Sequence, residues 1–154
     1  MFVSGRLLPG LMSALGPVSS DGSEGSDSYT AHFVGSGSRW FGALDTGSEG
    51  TDTVTTFGTA AADDLIVRVA NVYENNERIA FGSNTEVLNV DGVGGADQMI
   101  ISASFADTTN LYGGEDADHL DIVGTTHIEN LSAMMGQGGD TVIIRKVSDG
   151  ATLT

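Results

Sequence analysis

Residues 92–101 read Gly-Val-Gly-Gly-Ala-Asp-Gln-Met-Ile-Ile, residues 113–122 read Gly-Gly-Glu-Asp-Ala-Asp-His-Leu-Asp-Ile, and residues 136–144 read Gly-Gln-Gly-Gly-Asp-Thr-Val-Ile-Ile. Each copy is a glycine-rich turn, then an aspartate, then alternating apolar residues. The aspartates at 97, 118 and 140 are separated by 21 and 22 residues. A repeat of this length is typical of proteins that stack one structural unit on the next. We therefore predict an all-β, parallel β-helix or β-roll, a right-handed solenoid with roughly 18–25 residues per coil.

The apolar residues after each turn alternate, which predicts strands with one buried face. The residues expected to point inward share one parity: Leu65, Val67, Val69, Met99, Ile101, Leu120, Ile122, Val142 and Ile144. Ile66, Ile100 and Ile143 have the opposite parity. They either pack under a neighbouring loop or form a lateral contact with another module, because exposed apolar patches often mark interfaces.

Similar patterns occur nearer the N-terminus. Residues 22–30 match residues 47–55 at an offset of 25, with aspartates at 27 and 52, and residues 58–69 repeat the theme around Asp63 with alanines for glycines. The next step, from Asp63 to Asp97, is 34 residues and fits no single turn. Residues 71–84 are looser and polar, which predicts a loop followed by a short strand at 79–81 within this stretch. Residues 1–20 stand apart as a cap, a first strand or a signal-like segment, and residues 21–154 form the repeat domain.

The composition restricts the function. The chain of 154 residues has 21 Asp and Glu against 6 Lys and Arg, a formal net charge of −15, which argues against nucleic acid and anionic membranes as partners. There are no cysteines, so disulfides and thiolate-bound metals are excluded. No run reaches the ~20 apolar residues of a membrane-spanning helix.

An aspartate after a glycine turn has two physical explanations. Its carboxylate can accept backbone N–H bonds and fix the turn. Alternatively, stacked aspartates about 4.8 Å apart repel one another unless a cation neutralises them, and glycines leave backbone carbonyls free to join a calcium site. Both explanations stay open from the residues alone.

The glycine and aspartate pattern resembles the haemolysin-type calcium-binding repeat, Gly-Gly-x-Gly-x-Asp followed by x, an apolar residue and x. Residues 113–121 match except that Asp116 replaces the third glycine, Val93 replaces the second glycine of the first copy, and Met135 replaces the first glycine of the third. The resemblance implies Ca²⁺ as cofactor and export to the bacterial surface or the extracellular medium. The metal ligands it implies are Asp97, Asp118, Asp140, Asp116, Asp63, Gly92, Gly95, Gly113, Gly114, Gly136 and Gly138.

The expected function is a non-catalytic, calcium-binding structural or adhesive module with other solenoid modules or surface glycans as partners. One alternative is a polysaccharide-active lyase or epimerase. Its candidate catalytic groups are Asp63-Asp64, Asp116 with Asp118, His119, His127 and Arg145-Lys146. A second alternative is a calcium-free structural β-helix, and a third is ice or mineral binding by threonine arrays, although the threonines lack a steady register.

Overall fold

The computed structural model of the protein describes residues 2–4, 18–126, 128–146 and 152–153. The described residues form strands and turns, without a helix, so the all-β prediction is confirmed. In chain order the strands are β1 (Phe2–Ser4), β2 (Val18–Ser20), β3 (Ser28–His32), β4 (Trp40–Ala43), β5 (Thr53–Phe57), β6 (Asp64–Arg68), β7 (Asn71–Glu74), β8 (Glu77–Phe81), β9 (Val87–Asp91), β10 (Gln98–Ala103), β11 (Thr108–Gly114), β12 (His119–Thr126), β13 (Asn130–Gly136), β14 (Thr141–Ile144) and β15 (Thr152–Leu153).

These strands form two sheets. The first sheet has seven strands in the order β1-β3-β5-β9-β11-β13-β15, and every neighbouring pair is parallel. The second has eight strands in the order β14-β12-β10-β6-β7-β8-β4-β2. Five of its pairs are parallel, whereas β7 runs antiparallel to both β6 and β8.

One hydrophobic core joins the two sheets. The first sheet contributes inward side chains such as Tyr29, Leu88 and Leu111, and the second contributes residues such as Leu65 and Ile122, all of them fully buried. In the first sheet, β3, β5, β9 and β11 alternate buried and more exposed positions, as expected when one face packs on a core. The core therefore lies between the sheets and leaves an outer face on each.

The predicted right-handed parallel β-helix or β-roll with 18–25 residues per coil is wrong. The second sheet is mixed, because β6, β7 and β8 form a three-stranded antiparallel meander where the prediction required a single parallel turn. Val69 and Asn75 make the two tight turns of this meander with φ angles of 44° and 51°. The meander accounts for the 34-residue step from Asp63 to Asp97, and it includes β7, which the sequence analysis assigned to a loop.

The predicted inward positions are mostly buried. Leu65, Val67, Met99, Ile101, Leu120 and Ile122 are at most 2% exposed. Val69, Val142 and Ile144 are exposed instead. Val69 lies in a turn, and the other two lie on β14, the edge strand of the second sheet, which pairs on one side only within the described part of the chain. The outward isoleucines at 66, 100 and 143 are half-buried, so their lateral contact stays a prediction.

The predicted N-terminal segment lies only partly within the described residues. Phe2–Ser4 pairs with β3, and Val18–Ser20 pairs with β4, so both add an edge strand to a sheet. The stretch between them, on which the signal-like interpretation rests, lies outside the described residues. Among the residues that are described, no helix is long and apolar enough to cross a membrane.

Val93 occupies a backbone position that disfavours its side chain. Its φ is 79°, and the corresponding turn positions of the next two copies are glycines, Gly114 with φ 114° and Gly136 with φ 89°. We expect Val93→Gly to raise the free energy of unfolding by about 0.5–1 kcal/mol, because a β-branched residue is strained in the left-handed region. Urea unfolding measures the change. Val123→Gly, in an extended strand, is the control and should lower stability; a loss of stability in both variants would contradict the strain at Val93.

Candidate metal centre

The repeated aspartates form a hydrogen-bonded ladder. The backbone N–H of Asp63 donates to the carboxylate of Asp97 at 2.9 Å, that of Asp97 donates to Asp118 at 2.9 Å, and that of Asp118 donates to Asp140 at 3.0 Å. The same bond joins the N–H of Asp27 to Asp52 at 2.7 Å. Each carboxylate therefore fixes the turn that precedes the neighbouring strand, as one of the two sequence interpretations predicts.

The glycine five residues before each aspartate makes room for its carboxylate. A Cβ on Gly92 would lie 2.1 Å from Oδ2 of Asp97, and a Cβ on Gly113 would lie 2.3 Å from Oδ2 of Asp118. Both distances are far inside van der Waals contact. Met135 takes this position before Asp140, which is only half-buried, so the last copy tolerates a side chain there.

Two carboxylates of the ladder are almost completely buried, and each uses only one of its two oxygens in the ladder. Asp97 is 1% exposed and Asp118 is 2% exposed, and the Oδ2 atom of each accepts no hydrogen bond from the described residues. Burial, reinforced by the charges of Asp63, Asp118 and Asp91, raises the pKa of Asp97 to about 7. Burial likewise raises the pKa of Asp118, with Asp140 and Asp116 adding to it. Each group thus favours a proton or a cation near its second oxygen.

The ladder brings four of the five predicted aspartate ligands into one row, while Asp116 lies on the exposed side of its turn with φ 76°. The predicted glycines serve the same turns. Gly92 and Gly113 accommodate carboxylates, whereas Gly95, Gly114, Gly136 and Gly138 have φ angles between 89° and 144°. These residues have a structural role in the ladder, and their assignment as metal ligands stays a prediction.

A different acidic cluster has the geometry of a metal centre. Asp27, Asp45 and Asp52 are all buried, and one carboxylate oxygen from each lies within 4.8 Å of the others. We call these three residues the acidic triad. At that separation two unit charges repel by about 3.5 kcal/mol at an effective dielectric constant of about 20. Burial, followed by the charges of Asp45, Glu86 and Asp27, raises the pKa of Asp52. The triad can hold a metal ion.

Neighbouring groups fix the orientation of the triad. The hydroxyl of Tyr29 donates to Oδ2 of Asp45 at 2.7 Å and accepts the N–H of Gly22 at 2.6 Å. The N–H of Gly47 donates to the other oxygen of Asp45 at 2.7 Å. Burial, followed by this bond to Asp45, raises the pKa of Tyr29 further above its usual value, so the hydroxyl stays a donor. Both oxygens of Asp45 are thereby held in place before any ion binds.

The repeat spacing predicts part of this cluster. Asp27 and Asp52 are a matched pair at an offset of 25, but they are not among the predicted metal ligands. Asp45 follows β4 of the second sheet and belongs to no repeat, so spacing offered no signal for it. The contact between Asp45 and Tyr29 depends on the packing of the two sheets, which the sequence pattern does not show.

A buried glutamate pair lies in the β7–β8 turn. Glu74 and Glu77 are 1% and 2% exposed and oppose each other across the turn. Burial, with the charges of Asp63 and Glu77, raises the pKa of Glu74 to about 7. Glu77 also accepts the N–H groups of Val34 and Gly35 and lies 3.7 Å from Arg39. Glu74 therefore stays protonated at mildly acidic pH.

The raised pKa values predict how metal-free stability depends on pH. Glu74 and Asp97 bind a proton more tightly in the folded chain than in the unfolded chain, so stability falls as pH rises from about 4.5 to about 7 and levels off above. In EDTA we expect the thermal midpoint to drop by a few degrees across this window, and Glu74→Gln to flatten the drop. Glu115→Gln, at an exposed turn, is the control; an equal effect of both variants would contradict the prediction.

Several candidate catalytic groups of the enzymatic alternative are hydrogen-bonded to other residues, and others are exposed. Asp63 accepts the backbone N–H and the hydroxyl of Thr59, and Asp118 belongs to the buried ladder. Arg145 makes two hydrogen bonds to Asp121, at 2.8 and 2.9 Å. Asp64 and Asp116 are exposed, and His127 lies outside the described residues.

No protein-family description, no curated protein and no solved structure matches the chain.

Proposed function

We propose that the protein is a non-catalytic structural and adhesive module that binds calcium and acts at the bacterial surface or outside the cell. The observation that carries the cation role is the acidic triad, three buried carboxylates whose oxygens converge within 4.8 Å. Such a group is unfavourable without a proton or a metal ion to neutralise it. The resemblance of the glycine and aspartate pattern to calcium-binding repeats supports the export and adhesion parts of the proposal.

The donor atoms of the triad favour calcium. All three side chains offer carboxylate oxygens, the Tyr29 hydroxyl lies against one of them, and the chain has no cysteine. Hard, oxygen-only donor sets suit Ca²⁺, which tolerates irregular coordination, better than metals that prefer nitrogen or sulfur. The excess of acidic residues also attracts divalent cations to the molecule.

An ion in the triad would connect the two sheets. Asp27 and Asp52 immediately precede β3 and β5 of the first sheet, whereas Asp45 follows β4 of the second. Calcium bound here would stabilise the folded state in proportion to its affinity, because the unfolded chain does not assemble the three ligands. This makes the ion part of the fold and explains a structural role without catalysis.

Terbium luminescence tests the site directly, because Tb³⁺ substitutes for Ca²⁺ and Tyr29 can transfer excitation to an ion in the triad. We expect Tb³⁺ emission on tyrosine excitation, competition by Ca²⁺, and a loss of affinity of at least about tenfold in Asp52→Asn. Asp118→Asn is the matched control, since both aspartates accept a ladder N–H but only Asp52 belongs to the triad. Loss of binding in Asp118→Asn alone would place the ion at the ladder instead.

A further inference from the structure

The outer face of the first sheet carries a continuous row of large side chains. His32, Phe57, Asp91, Tyr112 and Met134 are register partners on five adjacent strands, and all five point away from the core. We call these five residues the aromatic row. Four strand spacings give it a length of about 19 Å. His32 and Phe57 stack with their ring centroids 4.7 Å apart and an interplanar angle of 15°, so this end of the row is already ordered.

The aromatic row forms the floor of an open groove. The groove has a volume of about 650 Å³, and the glycine turns beside the strands, including Thr59, Val93 and Glu115, form one wall. That volume is within the range of ligand-binding clefts, about 300–1,000 Å³. Because the groove crosses five strands, it suits an extended chain better than a compact molecule.

A row of amides and hydroxyls runs parallel to the aromatic row, two residues earlier on each strand. It consists of Thr30, Thr55, Asn89, Asn110 and Ser132. The Asn89 side-chain amide donates to the Thr55 hydroxyl at 3.1 Å, and the Asn110 side-chain amide donates to Oδ1 of Asn89 at 2.9 Å. The side chains are therefore held in fixed orientations with donors and acceptors next to the rings.

This face is nearly uncharged in a strongly acidic protein. Among the outward side chains of β3, β5, β9, β11 and β13, Asp91 is the one Asp, Glu, Lys or Arg, although the whole chain carries −15. Glu115 in the groove wall is also acidic. A polyanion would be repelled by the molecule as it approached, and the face has no lysine or arginine to attract it. A neutral ligand avoids this repulsion, and Asp91 can accept its hydroxyl protons.

From these observations we infer that the groove binds a neutral glycan chain laid across the strands. The apolar face of a sugar ring can stack on Phe57 and Tyr112, which lie two strand spacings apart, about 10 Å. The sugar hydroxyls would bond to Asp91 and to the neighbouring amides. This inference rests on the proposed adhesive function and identifies the class of its partner, and it uses none of the residues of the acidic triad.

Calorimetric titration with neutral hexasaccharides, cellohexaose, maltohexaose and chitohexaose, tests the inference, with hexagalacturonate as the anionic probe. We expect at least one neutral probe to bind and Tyr112→Ala to weaken it by about tenfold. Tyr73→Ala is the matched control, because Tyr73 is half-exposed on the second sheet. A second measurement needs no variant: the binding probe should shift the side-chain amide NMR signals of Asn89 and Asn110.

Several outcomes would overturn the inference. These are no binding of any neutral probe at millimolar concentration, tighter binding of hexagalacturonate, unshifted Asn89 and Asn110 amides, or equal losses in both tyrosine variants. Self-association that Tyr112→Ala abolishes, without glycan binding, would assign the face to a second copy of the chain.

Titrations are run with Ca²⁺ and with EDTA. If no glycan binds but Ca²⁺ still stabilises the protein against unfolding, only the glycan inference is wrong. If a glycan binds but Ca²⁺ has no effect on unfolding, only the proposed cation role is wrong.

Discussion

Replacing Gly113 with alanine is expected to lower the free energy of unfolding by about 3–5 kcal/mol, the largest effect of any single substitution proposed for this chain. The added Cβ would lie 2.3 Å from Oδ2 of Asp118 and 2.5 Å from the backbone oxygen of Met135. The second atom belongs to the main chain of the neighbouring strand, so no side-chain rotation relieves the contact. The strands must separate, which also breaks the ladder bonds of Asp118.

Gly139→Ala is the control for this prediction. Gly139 lies in a glycine turn of the same kind, but a Cβ there meets no atom within 4 Å, and its φ is not in the left-handed region. We expect it to change stability by less than about 0.5 kcal/mol. Urea unfolding compares the two variants with the wild type. Similar stabilities of Gly113→Ala and the wild type would show that the turns do not pack against the carboxylates as described.

The second large effect is expected at Asp97. Asp97→Ala removes the acceptor for the buried N–H of Asp63 and should cost about 2–3 kcal/mol. Asp97→Asn keeps the Oδ1 acceptor and replaces a buried, ionisable oxygen that has no hydrogen-bond partner among the described residues. Because burial raises the pKa of Asp97 to about 7, ionisation above that pH costs stability, and the asparagine variant should equal or exceed the wild type there.

Chemical unfolding at about pH 8 in EDTA and then in Ca²⁺ distinguishes two roles for Asp97. If its role is the ladder bond, Asp97→Asn leaves the Ca²⁺ response unchanged. If it is a calcium ligand, as the resemblance implies, Asp97→Asn reduces the response while leaving metal-free stability intact. A loss in Asp97→Asn as large as in Asp97→Ala, without Ca²⁺, would contradict the importance of the ladder bond.

Local patterns in the sequence predicted a substantial part of this structure. The alternation around Leu65, Met99 and Leu120 identified the buried face of the second sheet, because strand periodicity depends only on neighbouring residues. The repeat spacing correctly aligned the aspartates, which occupy equivalent places beside adjacent strands. Spacing could not separate turn fixing from ion binding, since both need a carboxylate near a glycine turn.

The sequence did not reveal features that depend on which strands pair and how the sheets pack. The antiparallel strand β7 contains Tyr73, Glu74 and polar neighbours, and its strand character comes from pairing with β6 and β8. Asp45 joins the acidic triad through the packing of one sheet on the other. Val142 has the inward parity but is exposed, because it belongs to the last strand of its sheet.

Thermal unfolding followed by circular dichroism, in EDTA and then in about 1 mM Ca²⁺, tests the cation-stabilised fold most directly. Calcium at about 100 times its dissociation constant adds about 2.7 kcal/mol, so the midpoint of the wild type should rise by about 5–10 °C. Asp52→Asn should lose this rise and Asp118→Asn should keep it. Identical unfolding curves of the wild type with and without Ca²⁺ would contradict calcium binding at the acidic triad and leave its carboxylates to be neutralised by protons.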